Sequence, residues 1–182
     1  MERNDQKRRP RIVSGILRLG LLWSLTGLMA CASAGATYTG RLANPASIVT
    51  LRPGDLHELK WQTEDLRIDA TYALDGTQLN LAGRVQLQDR LAHYPTVAFL
   101  RISVHAIDGN GVILASYPLW SAPSNTELFF VNWAFDRKFS VPADTRSLTF
   151  SYSGRMQEGG GGWGPIRGQD DGGISWDFWR TP

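Results

Sequence analysis

The chain has 182 residues, and 42% of them are hydrophobic, so it can bury an apolar core at a length that favours one domain. Its formal net charge is +2, and its single cysteine excludes an internal disulfide. The stability of the fold therefore has to come from apolar packing.

The N-terminal segment has the pattern of a bacterial secretory signal. Residues 1–18 contain six basic and two acidic residues, and residues 19–30 are uncharged and mostly apolar. These twelve residues are fewer than the roughly 20 that a transmembrane helix needs, and small residues follow them. We therefore predict a cleaved signal peptide over residues 1–30 and no permanent membrane span there.

Removal of this segment reverses the net charge. Residues 31–182 carry 13 Lys and Arg against 15 Asp and Glu, which leaves a net charge near −2. The basic character belongs to the discarded segment, and no basic cluster remains in the body of the chain. A nucleic-acid partner is therefore not expected.

The only cysteine lies directly after the predicted cleavage position. The sequence Leu28-Met29-Ala30-Cys31 resembles the lipobox of bacterial lipoproteins, although Met29 stands where a small or polar residue is usual. The resemblance implies that the Cys31 thiol carries a diacylglycerol and that its amino group is acylated. Two or more acyl chains anchor a protein stably in a bilayer, so the membrane is the first expected partner.

The residue after the cysteine bears on localisation. Ala32 is not the Asp that retains lipoproteins at the inner membrane in enteric-type bacteria, so the resemblance implies the outer membrane, facing the periplasm. The alternative is ordinary secretion, because Ala30-Cys31-Ala32 and Ala32-Ser33-Ala34 both fit a small-x-small cleavage site. The product would then be a soluble periplasmic protein without a lipid.

Residues 31–45 are small and polar and predict a lipidated tether. Residues 46–156 then show the period-two alternation of β-strands with one wet face. It is clearest in three runs: 79–87, 99–108 and 147–156. Leu100, Ile102, Val104 and Ala106 share one face of the second run. Shorter strands are predicted at 48–51, 58–62, 67–74, 112–119 and 127–141, the last with a break.

The turn residues agree with this pattern. Asp75-Gly76 and Asp108-Gly109-Asn110-Gly111 lie between strand-like runs and tolerate the positive φ of tight hairpins. Seven or eight strands without convincing helical periodicity predict an all-β fold, a single antiparallel β-sandwich. Residues 135–156 loosely resemble the late strands of immunoglobulin-like domains in bacterial envelope proteins, without the antibody-type Cys and Trp residues.

Residues 157–182 differ in composition from the rest. A glycine-rich stretch surrounds Trp163 and predicts a loop, and Trp176 and Trp179 follow in a segment that alternates as a possible last strand. Exposed tryptophans stack on sugar rings or anchor partner proteins, so these three are the candidate binding surface. The alternative is that the loop folds back and packs Trp163 on the sandwich. The residues Trp61, Trp120 and Trp133 lie in strand-like runs and are predicted to pack in or near the core.

The sequence contains no catalytic motif that we recognise. His57, His93 and His105 lie outside any nucleophile–base pattern and are predicted to be scattered surface residues. No catalytic residue, cofactor or metal ligand is therefore predicted. Asp108 begins what looks like a calcium loop, but the later ligands of such a loop are missing. Asp170 and Asp171 are separated from Asp177 by glycines, so the sequence does not define a metal-binding geometry for them.

These observations favour a non-enzymatic envelope lipoprotein that acts through a protein partner as an interaction or assembly module. The alternative is a glycan-binding or cell-wall-binding module that uses the C-terminal aromatic residues.

Overall fold

The computed structural model describes residues 38–158 and 174–182, which form two antiparallel sheets. One sheet has six strands and the other has four. The strands are β1 (Val49–Thr50), β2 (Gly54–Gln62), β3 (Leu66–Asp75), β4 (Gln78–Leu87), β5 (Thr96–Ile107), β6 (Ile113–Ser121), β7 (Thr126–Glu127), β8 (Ala134–Ser140), β9 (Ser147–Gln157) and β10 (Ser175–Arg180). The helical elements in this part of the chain are α1 (Asp89–Ala92) and two 3-10 turns, Pro45–Ser47 and Leu128–Phe130.

The predicted all-β antiparallel sandwich is confirmed. The six-stranded sheet has the order β1–β9–β5–β6, with β10 also beside β9 and β7 also beside β5. The four-stranded sheet has the order β2–β3–β4–β8. Two of the ten strands, β1 and β7, have only two residues, so eight longer strands remain, which is the upper end of the predicted number. The predicted signal peptide lies outside the described residues.

The core lies between the sheets and follows the alternation read from the sequence. Leu79, Leu81 and Val85 of β4 are buried, as are Leu100, Ile102, Val104 and Ala106 of β5. A strand presents every second side chain to one face, so in each strand these alternate residues face the core. Burial of these apolar surfaces is the main favourable contribution to folding.

The three tryptophans expected in or near the core are there. The ring of Trp61 lies 5.2 Å from that of Phe150, and its Nε1 donates to the carbonyl of Ser47. Trp120 stacks on Trp133 with ring centroids 5.2 Å apart. The first pair joins β2 to β9, and the second joins β6 to the residue before β8. The indole N–H of Trp61 keeps a hydrogen bond inside the core.

The outer face of the six-stranded sheet, turned away from the four-stranded sheet, is partly covered by residues 38–48. Leu42 forms a β-bridge with Val112 at the start of β6, and Ala43 packs with Ile107 and Ile113 in a small second core. The part of the predicted tether that the structure describes, residues 38–45, thus lies against the sandwich. This cover buries outer-face polar residues near one end of the sheet, namely His105, Ser147, Thr149 and Ser151.

Gly83 marks a place where β3 and β4 approach too closely for a side chain. It pairs with Ala70, and a Cβ built on Gly83 would lie 2.6 Å from the Ala70 Cβ and 2.7 Å from its Cα. Neither of those atoms can rotate away, so the strands would have to separate. We predict that Gly83→Ala lowers the free energy of unfolding by about 1–3 kcal/mol, measured by urea denaturation.

Gly109 provides the matched control for this substitution. It lies in the β5–β6 hairpin, and its nearest neighbour to a built Cβ is 4.0 Å away. Gly109→Ala should therefore change stability by no more than about 0.5 kcal/mol. Equal losses from the two substitutions would contradict the close approach at Gly83.

Candidate interaction surfaces

The two described tryptophans of the C-terminal segment lie on one strand but face opposite ways. In β10, Trp176 pairs with Met156 and Trp179 pairs with Ser153. Residues three apart on a strand point to opposite faces, so the two indoles do not form one platform. Trp176 is 45% exposed beneath the Arg90 guanidinium, whereas Trp179 is 70% exposed. Trp163 lies outside the described residues.

Trp179 belongs to a row of side chains that crosses the outer face of the six-stranded sheet. The register places Trp179 of β10 opposite Ser153 of β9, Ser153 opposite Arg101 of β5, and Arg101 opposite Ser121 of β6. The adjacent row is Ser151, Ser103 and Pro118. Three strands therefore build a floor of serine hydroxyls beside an exposed indole and an exposed guanidinium.

A groove of about 730 Å³ lies over this floor; its lining includes Arg101 and Ser153, and Trp179 lies outside the lining, next to Ser153 in the register. Tyr38 stands at its covered end, and Arg137 of β8 reaches it from the edge of the other sheet, where Nε donates to the Leu119 carbonyl at 3.1 Å. Within the described ranges, the groove lining includes two arginines and no carboxylate, and neither arginine takes part in a salt bridge. The groove is therefore positively charged.

The charges beside the groove are paired. Arg155 donates to both carboxylate oxygens of Asp177, at 2.6 and 2.9 Å, and this hydrogen bonding lowers the pKa of Asp177. A charged pair far from the groove behaves in the same way: on the outer face of the four-stranded sheet, Arg67 lies 2.7 Å from Asp69. Unlike these pairs, Arg101 has no salt-bridge partner among residues 38–158 and 174–182.

A buried histidine lies under the covered end of the groove, and the prediction that His105 is a surface residue is wrong. Its exposure is 1%, because Tyr38 packs edge-on against its ring at 5.4 Å. Its Nδ1 lies 2.7 Å from Ser116 Oγ and its Nε2 lies 2.8 Å from Ser151 Oγ. Burial lowers the pKa of His105 to about 4, so the ring is neutral near pH 7.

The contact of His105 with Ser151 superficially resembles a catalytic base with its nucleophile. In a catalytic triad, however, a carboxylate on the far nitrogen stabilises the imidazolium, and here that position is held by the hydroxyl of Ser116. A neutral imidazole has one donor and one acceptor, which the two hydroxyls satisfy. This arrangement links β5, β6 and β9, and we assign it to the packing of the sheet.

A second polar cluster joins the two sheets at their edge. The buried Asp65, between β2 and β3, accepts a hydrogen bond of 2.5 Å from the Tyr152 hydroxyl of β9, and the Arg90 guanidinium lies 2.5 Å from its other oxygen. Burial raises the pKa of Tyr152, so this phenol stays protonated and donates. The Tyr152 hydroxyl hydrogen-bonds Oδ2, and the Arg90 charge offsets that of the carboxylate beside Oδ1, which accepts no hydrogen bond within the described residues.

One end of the sandwich carries large exposed apolar side chains. Phe129 and Phe130 are 90% and 70% exposed in the 3-10 turn Leu128–Phe130, which is held by a hydrogen bond from Leu128 N to the Pro95 carbonyl. Ile174, also exposed, precedes β10 at the same end, because Ser175 pairs with Gln157. We call Phe129, Phe130 and Ile174 the apolar end.

The apolar end was not predicted, although the sequence carries a signal for its central pair. Two adjacent phenylalanines cannot both face the core of a strand, because neighbouring side chains point to opposite faces. Phe129 and Phe130 fell within the predicted strand 127–141, and their adjacency marks the break in it. The structure places the turn there and β8 only from Ala134.

The described residues show no group of three or more His, Cys, Asp or Glu side chains placed to hold a metal ion. In the same ranges, no helix is long and apolar enough to cross a membrane. Comparisons with protein-family models, with curated proteins and with solved structures find no match. The immunoglobulin-like resemblance therefore stays a prediction, and the function has to be argued from these surfaces.

The burial of His105 predicts a pH dependence of stability. The unfolded chain binds a proton at this residue below about pH 6.5, whereas the folded chain binds it only below about pH 4. Protonation therefore favours unfolding between these values, and stability falls as the pH falls. We predict that the advantage of the wild type over His105→Gln shrinks by about 3 kcal/mol from about pH 7 to about pH 4, in urea titrations.

The exposed His93, at the end of α1, serves as the control for that measurement. His93→Gln leaves His105 in place and should therefore retain the loss of stability between about pH 7 and about pH 4 that we assign to His105. A constant difference between wild type and His105→Gln across this pH range would show that His105 is not buried as a neutral ring.

Proposed function

We propose that this protein is a lipoprotein of the bacterial envelope, anchored through Cys31 and acting without catalysis as a protein-interaction module. The anchor rests on the lipobox-like sequence at the end of a signal segment. The interaction role rests chiefly on one observation, the exposure of the adjacent Phe129 and Phe130 rings. The outer membrane, facing the periplasm, is the proposed location, and a soluble periplasmic protein is the alternative.

The two phenylalanines have the properties of interface anchors. Burying one such side chain is worth about 1.5–3 kcal/mol, so leaving both in water forgoes several kcal/mol that a partner could recover. Their rings meet edge to face at 5.4 Å, and the hydrogen bond between Leu128 and Pro95 holds the turn that presents them. A rigid aromatic pair loses little conformational entropy on binding, which suits a protein contact.

The length of the linking segment supports a domain held close to the membrane. Six residues, 32–37, separate Cys31 from Tyr38, the first described residue. A fully extended chain spans at most about 3.6 Å per residue, so Tyr38 would lie within about 25 Å of the lipidated sulfur. A partner of the domain would then be another protein at or near the same bilayer.

The anchor predicts the behaviour of a Cys31→Ser variant. Without the thiol no diacylglycerol can be attached, so we expect the variant to lack the mass of the acyl chains and to lose the wild-type membrane fraction after the signal is cut. Intact-mass spectrometry and membrane flotation measure both properties. If the wild-type protein carried no added lipid mass, the proposed anchor would be wrong and the protein would be an ordinary secreted one.

The interaction role predicts a position-specific crosslink in cells. A photoreactive phenylalanine analogue at position 129 should give one discrete crosslinked species, and Phe130→Ser in the same chain should weaken it several-fold because the neighbouring anchor is lost. The same analogue at Lys60, an exposed site on the other sheet, is the control. Identical crosslinks from both sites would mean that the aromatic pair is not an interface.

A second candidate function is glycan binding, and the position of Trp179 favours it. The indole is exposed on the outer face and lies in register with Ser153 and Arg101, so a stacking surface adjoins hydrogen-bonding groups. Trp176 faces the other way and does not take part in this surface. The candidate therefore rests on Trp179 and the groove, and it is independent of the lipid anchor.

A further inference from the structure

We propose that the groove on the outer face of the six-stranded sheet binds an anionic saccharide, with its negative charge on a carboxylate or a phosphate. This inference rests on the second candidate function and names the site and the ligand chemistry for it. Trp179 would stack on a sugar ring, Arg101 would pair with the charged group, and the serine hydroxyls would bind the sugar hydroxyls.

The size and lining of the groove suit a ligand of this kind. Its volume of about 730 Å³ is within the roughly 300–1,000 Å³ of small-molecule sites. Its floor presents the hydroxyls of Ser103 and Ser153, and each of these can donate and accept, whereas the Ser151 hydroxyl is held by His105. Sugar hydroxyls need both roles, so this lining matches a polyhydroxyl ligand better than an apolar one.

The charge of the groove selects for an anion. Arg101 and Arg137 bring two positive charges to it, although the chain after the predicted cleavage is net negative. A guanidinium binds carboxylate and phosphate oxygens through paired N–H groups. A cavity of about 570 Å³ on the other sheet differs, because its lining combines Arg67 and Lys60 with Asp69 and Glu58. That lining is balanced and offers no preference for an anion.

The register sets the spacing of the two main contacts. Trp179 and Arg101 are two strands apart in one row, with Ser153 between them. Adjacent strands are about 4.8 Å apart, so the two side chains start about 10 Å from each other. A ligand with a ring on the indole can therefore place a charged group over Arg101 while its hydroxyls contact Ser153.

Matched charged and neutral probes test the proposal by titration calorimetry. The full mature chain is purified in a detergent without a sugar headgroup and titrated at low ionic strength with trigalacturonate and with its methyl ester. Maltose 1-phosphate and maltose form the second pair and test a phosphate as the anion. We expect the charged member of at least one pair to bind about tenfold or more tightly than the neutral member, and salt to reduce that difference.

Two variants assign the binding to the groove. Trp179→Ala should weaken both members of the binding pair about tenfold, whereas Arg101→Gln should remove most of the preference for the charged member. Both side chains are exposed, so the fold should persist, which thermal unfolding checks. The control is Arg84→Gln, an exposed arginine on the other sheet, which should bind as the wild type does.

The outcomes separate the inference from the function on which it rests. Equal binding of charged and neutral probes, sensitive to Trp179→Ala, would keep glycan binding and overturn the anionic specificity. No binding of any probe would count against both. Binding that Arg84→Gln weakens as much as Arg101→Gln would overturn the assignment to this groove.

Discussion

The pairing of β5 with β9 is the interaction on which the rest of the structure depends. The two strands run antiparallel from Thr96 opposite Gln157 to Ile107 opposite Ser147. All other strands of the six-stranded sheet attach to one of them, β1 and β10 to β9, and β6 and β7 to β5. Side chains on the inner face of these two strands form part of the core, and side chains on their outer face form the floor of the groove. One register therefore fixes both the hydrophobic interior and the arrangement of the proposed ligand contacts.

The sequence predicts which side chains of a strand share a face, but it does not predict how exposed each of these side chains is. Alternation in β5 correctly assigned Leu100, Ile102 and Val104 to the core, because a half-buried strand must alternate. The same alternation predicts that His105 is exposed to water, and this prediction is wrong because the side chain is buried. It is covered by Tyr38, which is 67 residues earlier in the chain, and no local pattern reports a contact of that range.

The candidate sites show the same limit. The sequence predicts one surface that contains both Trp176 and Trp179, which are three residues apart, but strand geometry turns them to opposite faces of β10. Conversely, Trp179, Ser153 and Arg101 come from three strands and meet only because the register aligns them. Short-range periodicity determines which face a side chain takes. Which side chains become neighbours across that face depends on pairing that the sequence does not display.

The positions of the two proposed surfaces make them compatible in one molecule. The covered end of the groove lies at Tyr38 beside His105, whereas the apolar end lies near Pro95, before the first residue of β5. The nine residue-to-residue steps of β5 from Thr96 to His105 correspond to about 30 Å along the strand. If Cys31 carries the lipid, the chain enters the domain at the His105 end, and Phe129 and Phe130 project from the opposite end. A protein partner held there would leave the groove open, so ligand and partner need not compete.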